Sequence, residues 1–276
     1  VRNSSVAEAQ SQYASATAQR IDLEGTLAIA RGNYETVVGS PPASLKMPPD
    51  LVFAPTLDAY RAVWAKAGFG RALANSVIIS LLSLAIGMSC ALLAAYAISR
   101  FRFRAARLVL VAMLATRIFP PVALIIPFYL NLRAVGGHDT HWGLALAYVA
   151  LNIPLSTWML KGYFDAVPIE LEESAMVDGA SRLQAVLRVT LPLMAPGLAA
   201  TAIFAFVVSW NDFLFALILT SRNARTLPVV IAEFVGDTGV DWPELMAASV
   251  TALAPILAAT FMLQRHIAAG LTAGAV

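Results

Sequence analysis

The chain has 276 residues, of which 59% are hydrophobic and 13% are charged, about half the roughly 25% charged residues of an ordinary soluble domain. Its apolar runs are continuous rather than alternating, which predicts an all-α membrane protein and excludes a membrane β-barrel. The formal net charge of +2 is too small to predict a nucleic-acid partner. No Walker-type phosphate loop occurs, so we expect another chain to hydrolyse any ATP that is used.

Residues 1–48 differ from everything after them, because they are rich in Ala, Gln, Ser and Thr and contain no apolar span. Their apolar positions follow two interleaved heptad series, broken only by Arg20. One series is Val6, Tyr13, Arg20, Leu27 and Tyr34, and the other is Ala9, Ala16, Leu23, Ala30 and Val37. This pattern predicts a long helix with a coiled-coil seam, which Pro41 and Pro42 would end.

Five apolar stretches follow, each close to the roughly 20 residues that cross a bilayer. They are residues 75–99, 108–130, 142–164, 198–220 and 247–263. Prolines interrupt the second, third and fifth stretches, which membrane helices tolerate when their neighbours satisfy the freed carbonyls. We therefore predict five transmembrane helices.

The orientation of these spans follows from the distribution of Lys and Arg. The loop after the first span contains Arg100, Arg102, Arg104 and Arg107, so the positive-inside rule puts this loop in the cytoplasm. The segment after the third span falls on the same side. The mostly acidic loop 221–246 falls outside, and the residues before Asn75 must then also be outside.

A polar segment, residues 168–192, lies between the third and fourth spans. Pro168 and the acidic residues after it suit the first turn of a helix, and Gly179 is expected to end that helix. Ser181 and Gln184 have the spacing of a capping box, which would open a second helix that ends at Pro192. The apolar face of that second helix would consist of Leu183, Val186 and Leu187.

Two uses of this segment are open from the residues alone. An amphipathic helix can rest on the lipid surface, although helices on anionic lipid are normally basic and the first half here is acidic. An acidic helix with an apolar side also fits a protein groove lined by Arg or Lys.

The same segment resembles the "EAA" coupling motif of ABC-importer permeases, E-A-A-x3-G-x9-I-x-L-P, with Ser in place of the first Ala and Val in place of Ile. The stretches "AYAISRFRFR" and "SWNDFLFALILT" are similar to the carbohydrate-uptake branch of these permeases. The resemblance covers residues 49–276 and implies that residues 168–192 dock in a groove of a cytoplasmic ATPase. The coupling residues that it implies are Glu173, Ser174, Ala175, Asp178, Gly179, Val189, Leu191 and Pro192.

The resemblance also implies partners and a location. They are a cytoplasmic ABC ATPase dimer that carries ATP and Mg²⁺, a second homologous permease, an external solute-binding protein and the lipid bilayer of a bacterial inner membrane. The chain itself would need no cofactor or metal and would be a transport subunit rather than an enzyme.

Polar side chains inside the spans are candidates for the solute pathway, because such groups are costly in a membrane and usually functional. The candidates are Trp210, Asn211, Asp212, Arg117, Asn152 and Thr157. The alternative is structural: Arg117 and Asp212 could form an ion pair, and the hydroxyl groups could bond carbonyls of their own helices.

The beginning of the chain does not fit this family, whose members usually have six spans, with the missing one placed before Asn75. Residues 1–48 instead resemble the periplasmic helix of outer-membrane efflux channels, so we expect a fusion of two unrelated fragments. Two other functions stay open. One is a non-transporting membrane component or adaptor of an efflux assembly, and the other is an importer of the same type for glycerol phosphate or another non-sugar solute.

Overall fold

The computed structural model describes residues 2–38, 57–101, 103–236 and 239–273. The chain divides into two compact units, residues 1–55 and 56–276. The described residues of the first unit form the helix α1 (Arg2–Val38), which confirms the predicted long helix. Tyr13 is 78% exposed and Leu23 is 68% exposed, so the coiled-coil seam stays a prediction.

The described part of the second unit consists of short and long helices and a small two-stranded ribbon. In chain order the helices are α2 (Asp58–Ala65), α3 (Phe69–Arg100), α4 (Ala106–Ala115), α5 (Pro121–Ala134), α6 (His141–Ala166), α7 (Ile169–Val177), α8 (Arg182–Ala185), α9 (Leu191–Leu193), α10 (Ala195–Trp210), α11 (Leu214–Leu219), α12 (Leu227–Ala232) and α13 (Trp242–Ala273). A 3₁₀ turn (Thr116–Ile118) follows α4, and a π-helical segment (Val186–Thr190) joins α8 to α9. Strands β1 (Val235–Gly236) and β2 (Gly239–Val240) pair antiparallel.

The predicted spans correspond to three single helices and two bent pairs. α3, α6 and the part of α13 over Trp242–Met262 are each long and apolar enough to cross a membrane. The helices over Ala106–Ile118 and Pro121–Ala134 meet at 97°, and those over Arg182–Leu193 and Ala195–Trp210 meet at 78°. If each bent pair is one span, the described chain has up to five, which agrees with the predicted number.

The prediction of the fourth span as one helix over residues 198–220 is wrong. α10 ends at Trp210 and α11 begins only at Leu214. The Asp212 carboxylate accepts hydrogen bonds from the backbone N–H groups of Phe215 (3.0 Å) and Ala216 (3.3 Å). A short acidic side chain that caps a new helix in this way ends the preceding one, because it competes for the same backbone groups.

α3 and α6 form the most extensive helix pair of the described chain. They run in the same direction, since Asn75 contacts His141 near their first residues and Ser99 contacts Asp165 near their last. The buried side of α3 is a stripe of small residues, which lets helix backbones approach closely. The stripe consists of Ser76, Ser80, Ser83, Gly87, Ala91 and Ala95. We call the two ends of this unit the Asn75 end and the Arg100 end, after residues near the two ends of α3.

Candidate functional site

Residues 168–192 lie at the Arg100 end and form two short helices joined by a tight turn. In the turn, the N–H of Gly179 donates to the carbonyl of Met176 (3.1 Å) and the N–H of Ala180 donates to that of Ala175 (3.0 Å). This pair of bonds is the Schellman arrangement, which closes a helix through one residue in the left-handed conformation. The predicted end of the first helix at Gly179 is therefore confirmed.

Gly179 is required here by its backbone conformation. Its φ is +92°, a region that side-chain-bearing residues rarely adopt, whereas a Cβ added at this position would meet nothing within 4 Å. The structure therefore explains this glycine by the shape of the turn rather than by crowding within the chain.

The second helix begins as the sequence predicts. The hydroxyl of Ser181 accepts the N–H of Gln184 (3.3 Å), and the side-chain oxygen of Gln184 accepts the N–H of Ser181 (2.8 Å). The predicted end at Pro192 is wrong, because the helix continues through Pro192 to Leu193. Pro192 comes two residues after the end of the π-helical segment, and local π-helical adjustments of this kind accommodate a proline within a membrane helix.

Two adjacent glutamates on α7 have opposite surroundings. Glu172 is 3% exposed, and its Oε1 lies 2.8 Å from Nε of Arg100 and accepts the hydroxyl of Thr190 at 2.9 Å. Glu173 is exposed, and no ion pair or hydrogen bond of its carboxylate occurs within the described ranges. Consecutive residues of a helix point about 100° apart, so α7 holds one carboxylate inward and presents the next outward.

Several apolar side chains of the segment are exposed as well. Val177 is 88% exposed, Leu183 is 67% exposed and Leu187 is 54% exposed. Of the predicted apolar face, Leu183 and Leu187 are thus open and Val186 is half-buried, while Ala185 and Thr190 point into the unit. A patch of this kind typically marks an interaction surface.

The remaining residues of the motif vary in exposure. Ser174, Asp178 and Pro192 are exposed, whereas Ala175, Val189 and Leu191 are half-buried.

Arg117 lies in the 3₁₀ turn at the corner of the first bent pair. It is exposed, and its Nη1 donates to the carbonyl of Leu151 on α6 at 2.9 Å. Leu151 lies three residues before Pro154 on α6, and its carbonyl oxygen has two lone pairs with which it can accept hydrogen bonds. A cavity of about 520 Å³ opens beside Arg117 and Thr116.

The three candidates in the predicted fourth span, Trp210, Asn211 and Asp212, have different surroundings. Trp210 is 2% exposed and stacks on Phe206, with ring centroids 5.6 Å apart. Asn211 is exposed and donates to the carbonyl of Val207 on its own helix. Asp212 accepts the hydroxyl of Tyr148 (3.2 Å) in addition to its two backbone bonds, so it forms no ion pair with Arg117.

Asn152 and Thr157 lie between helices. Asn152 is 4% exposed and donates to the hydroxyl of Ser209 at 2.8 Å, and Ser209 lies 3.3 Å from the hydroxyl of Ser83. This bridge joins α6, α10 and α3. The side-chain oxygen of Asn152 and the hydroxyl of Thr157 have no hydrogen-bond partner among the described residues.

The Asn75 end contains a polar cluster that the sequence did not predict. The Asp139 carboxylate accepts backbone N–H groups of the loop after α11, and its distances to Ser221, Asn223 and Ala224 are 2.8–3.1 Å. Burial raises the pKa of Asp139, but these bonds together outweigh that effect and hold its pKa below the usual value. Asn75 accepts from His141 and donates to the carbonyl of Asn223 (2.8 Å).

Comparisons with known proteins agree with this architecture. The family described as binding-protein-dependent transport system inner membrane component matches residues 83–273. The permease of the trehalose/maltose transport system of Thermococcus litoralis is 40% identical over 205 residues, which cover 74% of each chain. The permease of the trehalose transport system of Mycobacterium tuberculosis is 39% identical over 224 residues, covering 80% of this chain and 82% of that protein.

Among solved structures, a bacterial ABC transporter that imports the acidic polysaccharide alginate has the same fold. The TM-score is 0.64 at 22% identity, and the match covers 89% of this chain and 94% of the other. The chain therefore belongs to the family of inner-membrane components of binding-protein-dependent transport systems, and it is a membrane transport subunit rather than an enzyme. The family match begins at residue 83, and none of these relatives supports the resemblance of residues 1–48 to an efflux channel.

Proposed function

We propose that the chain is the permease subunit of an ATP-driven importer for a sugar or sugar-like solute and forms half of the translocation pathway. The observation that carries this proposal is the outward surface of residues 168–192. There Glu173 is exposed beside open apolar side chains, while the adjacent Glu172 is buried.

This surface fits a basic groove on another protein better than a lipid surface. An interface gains specificity when an acidic group meets a basic one, and exposed apolar side chains supply contact area around that pair. Helices that lie on anionic lipid are basic on their polar face, whereas the exposed charged residues of α7 are two glutamates, Glu170 and Glu173. The partner that this surface would bind is therefore a cytoplasmic ATPase whose groove contains Arg or Lys.

In this proposal Glu173 pairs with a basic residue of the ATPase, and the Schellman turn at Gly179 sets the angle between α7 and α8. The ATPase dimer carries the ATP and Mg²⁺, and its closure displaces the docked segment. The other docking residues are Ser174, Ala175, Asp178, Val189, Leu191 and Pro192. Residues 49–276 form the transport domain, and residues 1–48 are a separate segment.

The solute class is supported by the relatives, two of which are named for trehalose or maltose transport. The family is named for dependence on a binding protein, so we also infer an external solute-binding protein and a second permease in a bacterial inner membrane. Among the pathway candidates, Arg117 and Asn211 are exposed and Asp212 is half-buried, so these three are the ones that a solute could contact. Trp210, Asn152 and Thr157 would shape the wall behind them.

The test is a charge reversal on the outward surface. Glu173→Lys should weaken ATPase binding by more than about thirtyfold, because an interfacial charge that loses its partner costs about 2–5 kcal/mol. Asp58→Lys is the control, since Asp58 is an exposed acidic residue on α2, outside the docking segment. Co-purification of the ATPase and uptake of labelled trehalose and maltose, with glycerol phosphate as a non-sugar comparison, are the measurements. If Glu173→Lys keeps both the ATPase and parental uptake, the docking assignment is wrong.

A further inference from the structure

The Arg100 end contains a buried ion pair that has no role in the proposed docking surface. Nε of Arg100 lies 2.8 Å from Oε1 of Glu172, and the two side chains are 7% and 5% exposed. Every other ion pair found in the described ranges has at least one side chain more than 40% exposed. This pair is therefore the one whose charges are both removed from water.

The pair contacts the segment at three places. Besides its bond to Glu172, Arg100 donates from Nη2 to the carbonyl of Val167 (3.0 Å), which directly follows α6. Glu172 accepts the hydroxyl of Thr190, which is fully buried in the π-helical segment (2.9 Å). Arg100, the last residue of α3, is thus bonded directly to Val167 and Glu172, and Glu172 extends the connection to Thr190.

Burial makes these connections hard to break. If the segment moved away from α3, either the guanidinium of Arg100 or the carboxylate of Glu172 would stay buried without its counter-charge, which is strongly unfavourable. The charged hydrogen bonds to Val167 and Thr190 would be lost at the same time. Glu173 and the turn at Gly179 are exposed, and in the described part of the unit neither has a buried ion pair of this kind.

We propose that Arg100 and Glu172 are positioning residues that join the ATPase-docking segment to α3, so that the two move as one rigid body. The proposal rests on the proposed function, because it needs the segment to be the one that an ATPase displaces. In this arrangement a displacement of α7 reaches the first predicted span directly, and the helix pair α3–α6 carries it along the unit.

The test measures whether the segment and α3 keep a fixed separation. Spin labels replace Leu93, which is 71% exposed on α3, and Arg188, which is exposed in the π-helical segment, after Cys90→Ala removes the native thiol. The distance distribution is recorded on the complex co-purified with its ATPase, without nucleotide and with ATP plus vanadate. The parent should show one narrow distance that is the same in both states.

Glu172→Gln should broaden this distribution by about twofold and make it differ between the two states, since the segment gains local freedom. Glu170→Gln should behave as the parent. The double variant Arg100→Gln/Glu172→Gln removes both charges, so it avoids the buried unpaired charge that could prevent folding, and it should show the same broadening.

Three results would overturn the inference. The first is a distance in the parent that changes with nucleotide, and the second is a distance distribution in the variants that is as narrow as in the parent. The third is a double variant that fails to accumulate, because the pair would then be needed only for folding. Failure of the proposed function looks different. In that case Glu173→Lys keeps the ATPase in the complex, whatever the distances show.

Discussion

At the Arg100 end, one buried ion pair holds residues 167–190 on α3, whereas at the Asn75 end a carboxylate and an amide hold the backbone of residues 221–225. The first arrangement concentrates the attachment in two side chains and leaves an exposed face with Glu173. The second spreads it over several backbone groups. The difference shows that the same kind of attachment between distant segments is made by two charged side chains at one end and by several backbone groups at the other.

The largest expected effect is on the free energy of unfolding. It concerns two glycines that lie very close to a neighbouring residue, Gly143 at the Asn75 end and Gly197 at the Arg100 end. A Cβ on Gly143 would lie 2.0 Å from the carbonyl oxygen of Gly137, and a Cβ on Gly197 would lie 2.2 Å from Cγ of Tyr163. We expect Gly143→Ala to cost about 3 kcal/mol or more and Gly197→Ala about 1–3 kcal/mol, because overpacking against backbone cannot be relieved by a rotamer change. Thermal unfolding in detergent shows which of the two variants is destabilised more.

Tyr163→Ala is the matched second change for this comparison. It should restore part of the stability of Gly197→Ala and none of that of Gly143→Ala. A milder effect for Gly143→Ala than for Gly197→Ala would contradict a backbone-based attachment at the Asn75 end.

The next largest effect is expected from alanine at two glycines whose backbone is in the left-handed region. Gly179 has φ +92° and Gly136 has φ +70°, and an added Cβ at either would meet nothing within 4 Å. Alanine should cost each about 1–2 kcal/mol through backbone strain alone. Only Gly179→Ala should also reduce the ATPase that co-purifies, because this turn orients Glu173 against α8. Equal ATPase recovery from both variants would remove the turn from the docking surface.

The smallest effect is a pH dependence at the Asn75 end. The folded pKa of Asp139 lies below its unfolded value of about 3.9, so its contribution is fully present above that pH and is lost as the pH falls through the lower, folded pKa. Asp139→Asn should cost about 1 kcal/mol at pH 7, since Asp139 is only half-buried. The difference from the parent should shrink towards pH 3.

Unfolding midpoints between pH 3 and pH 7 test this, with the exposed Asp58→Asn as the control. A difference between parent and Asp139→Asn that stays constant with pH would show that the carboxylate charge is not what the loop amides bind.

Local patterns in the sequence predicted two features of residues 168–192. The capping box of Ser181 and Gln184 and the helix end at Gly179 each depend on residues fewer than six apart, so the sequence contains all the information they need. The apolar stretches predicted the spans for a similar reason, because a bilayer requires a long run of one kind of residue.

Contacts between distant residues could not be predicted. Arg100 and Glu172 are 72 residues apart, and each had a sufficient local explanation, the positive-inside rule for one and the helix dipole for the other. Asn152 is a predicted pathway residue because polar groups inside spans are usually functional, and its bond to Ser209 on another helix could not be read from the sequence. The order of helices around a polar residue, and not its type, decides whether it faces a solute or a neighbour.

The adjacency of Glu172 and Glu173 has a consequence for insertions and deletions. Loops between membrane helices commonly tolerate a change of length when their backbone is exposed. Here one residue added between Pro168 and Glu172 would turn the following helix by about 100°. It would move the outward carboxylate off the docking side and draw the inward one away from Arg100. The number of residues from Pro168 to Glu173 is therefore as constrained as their identity, although most of this stretch lies at the surface.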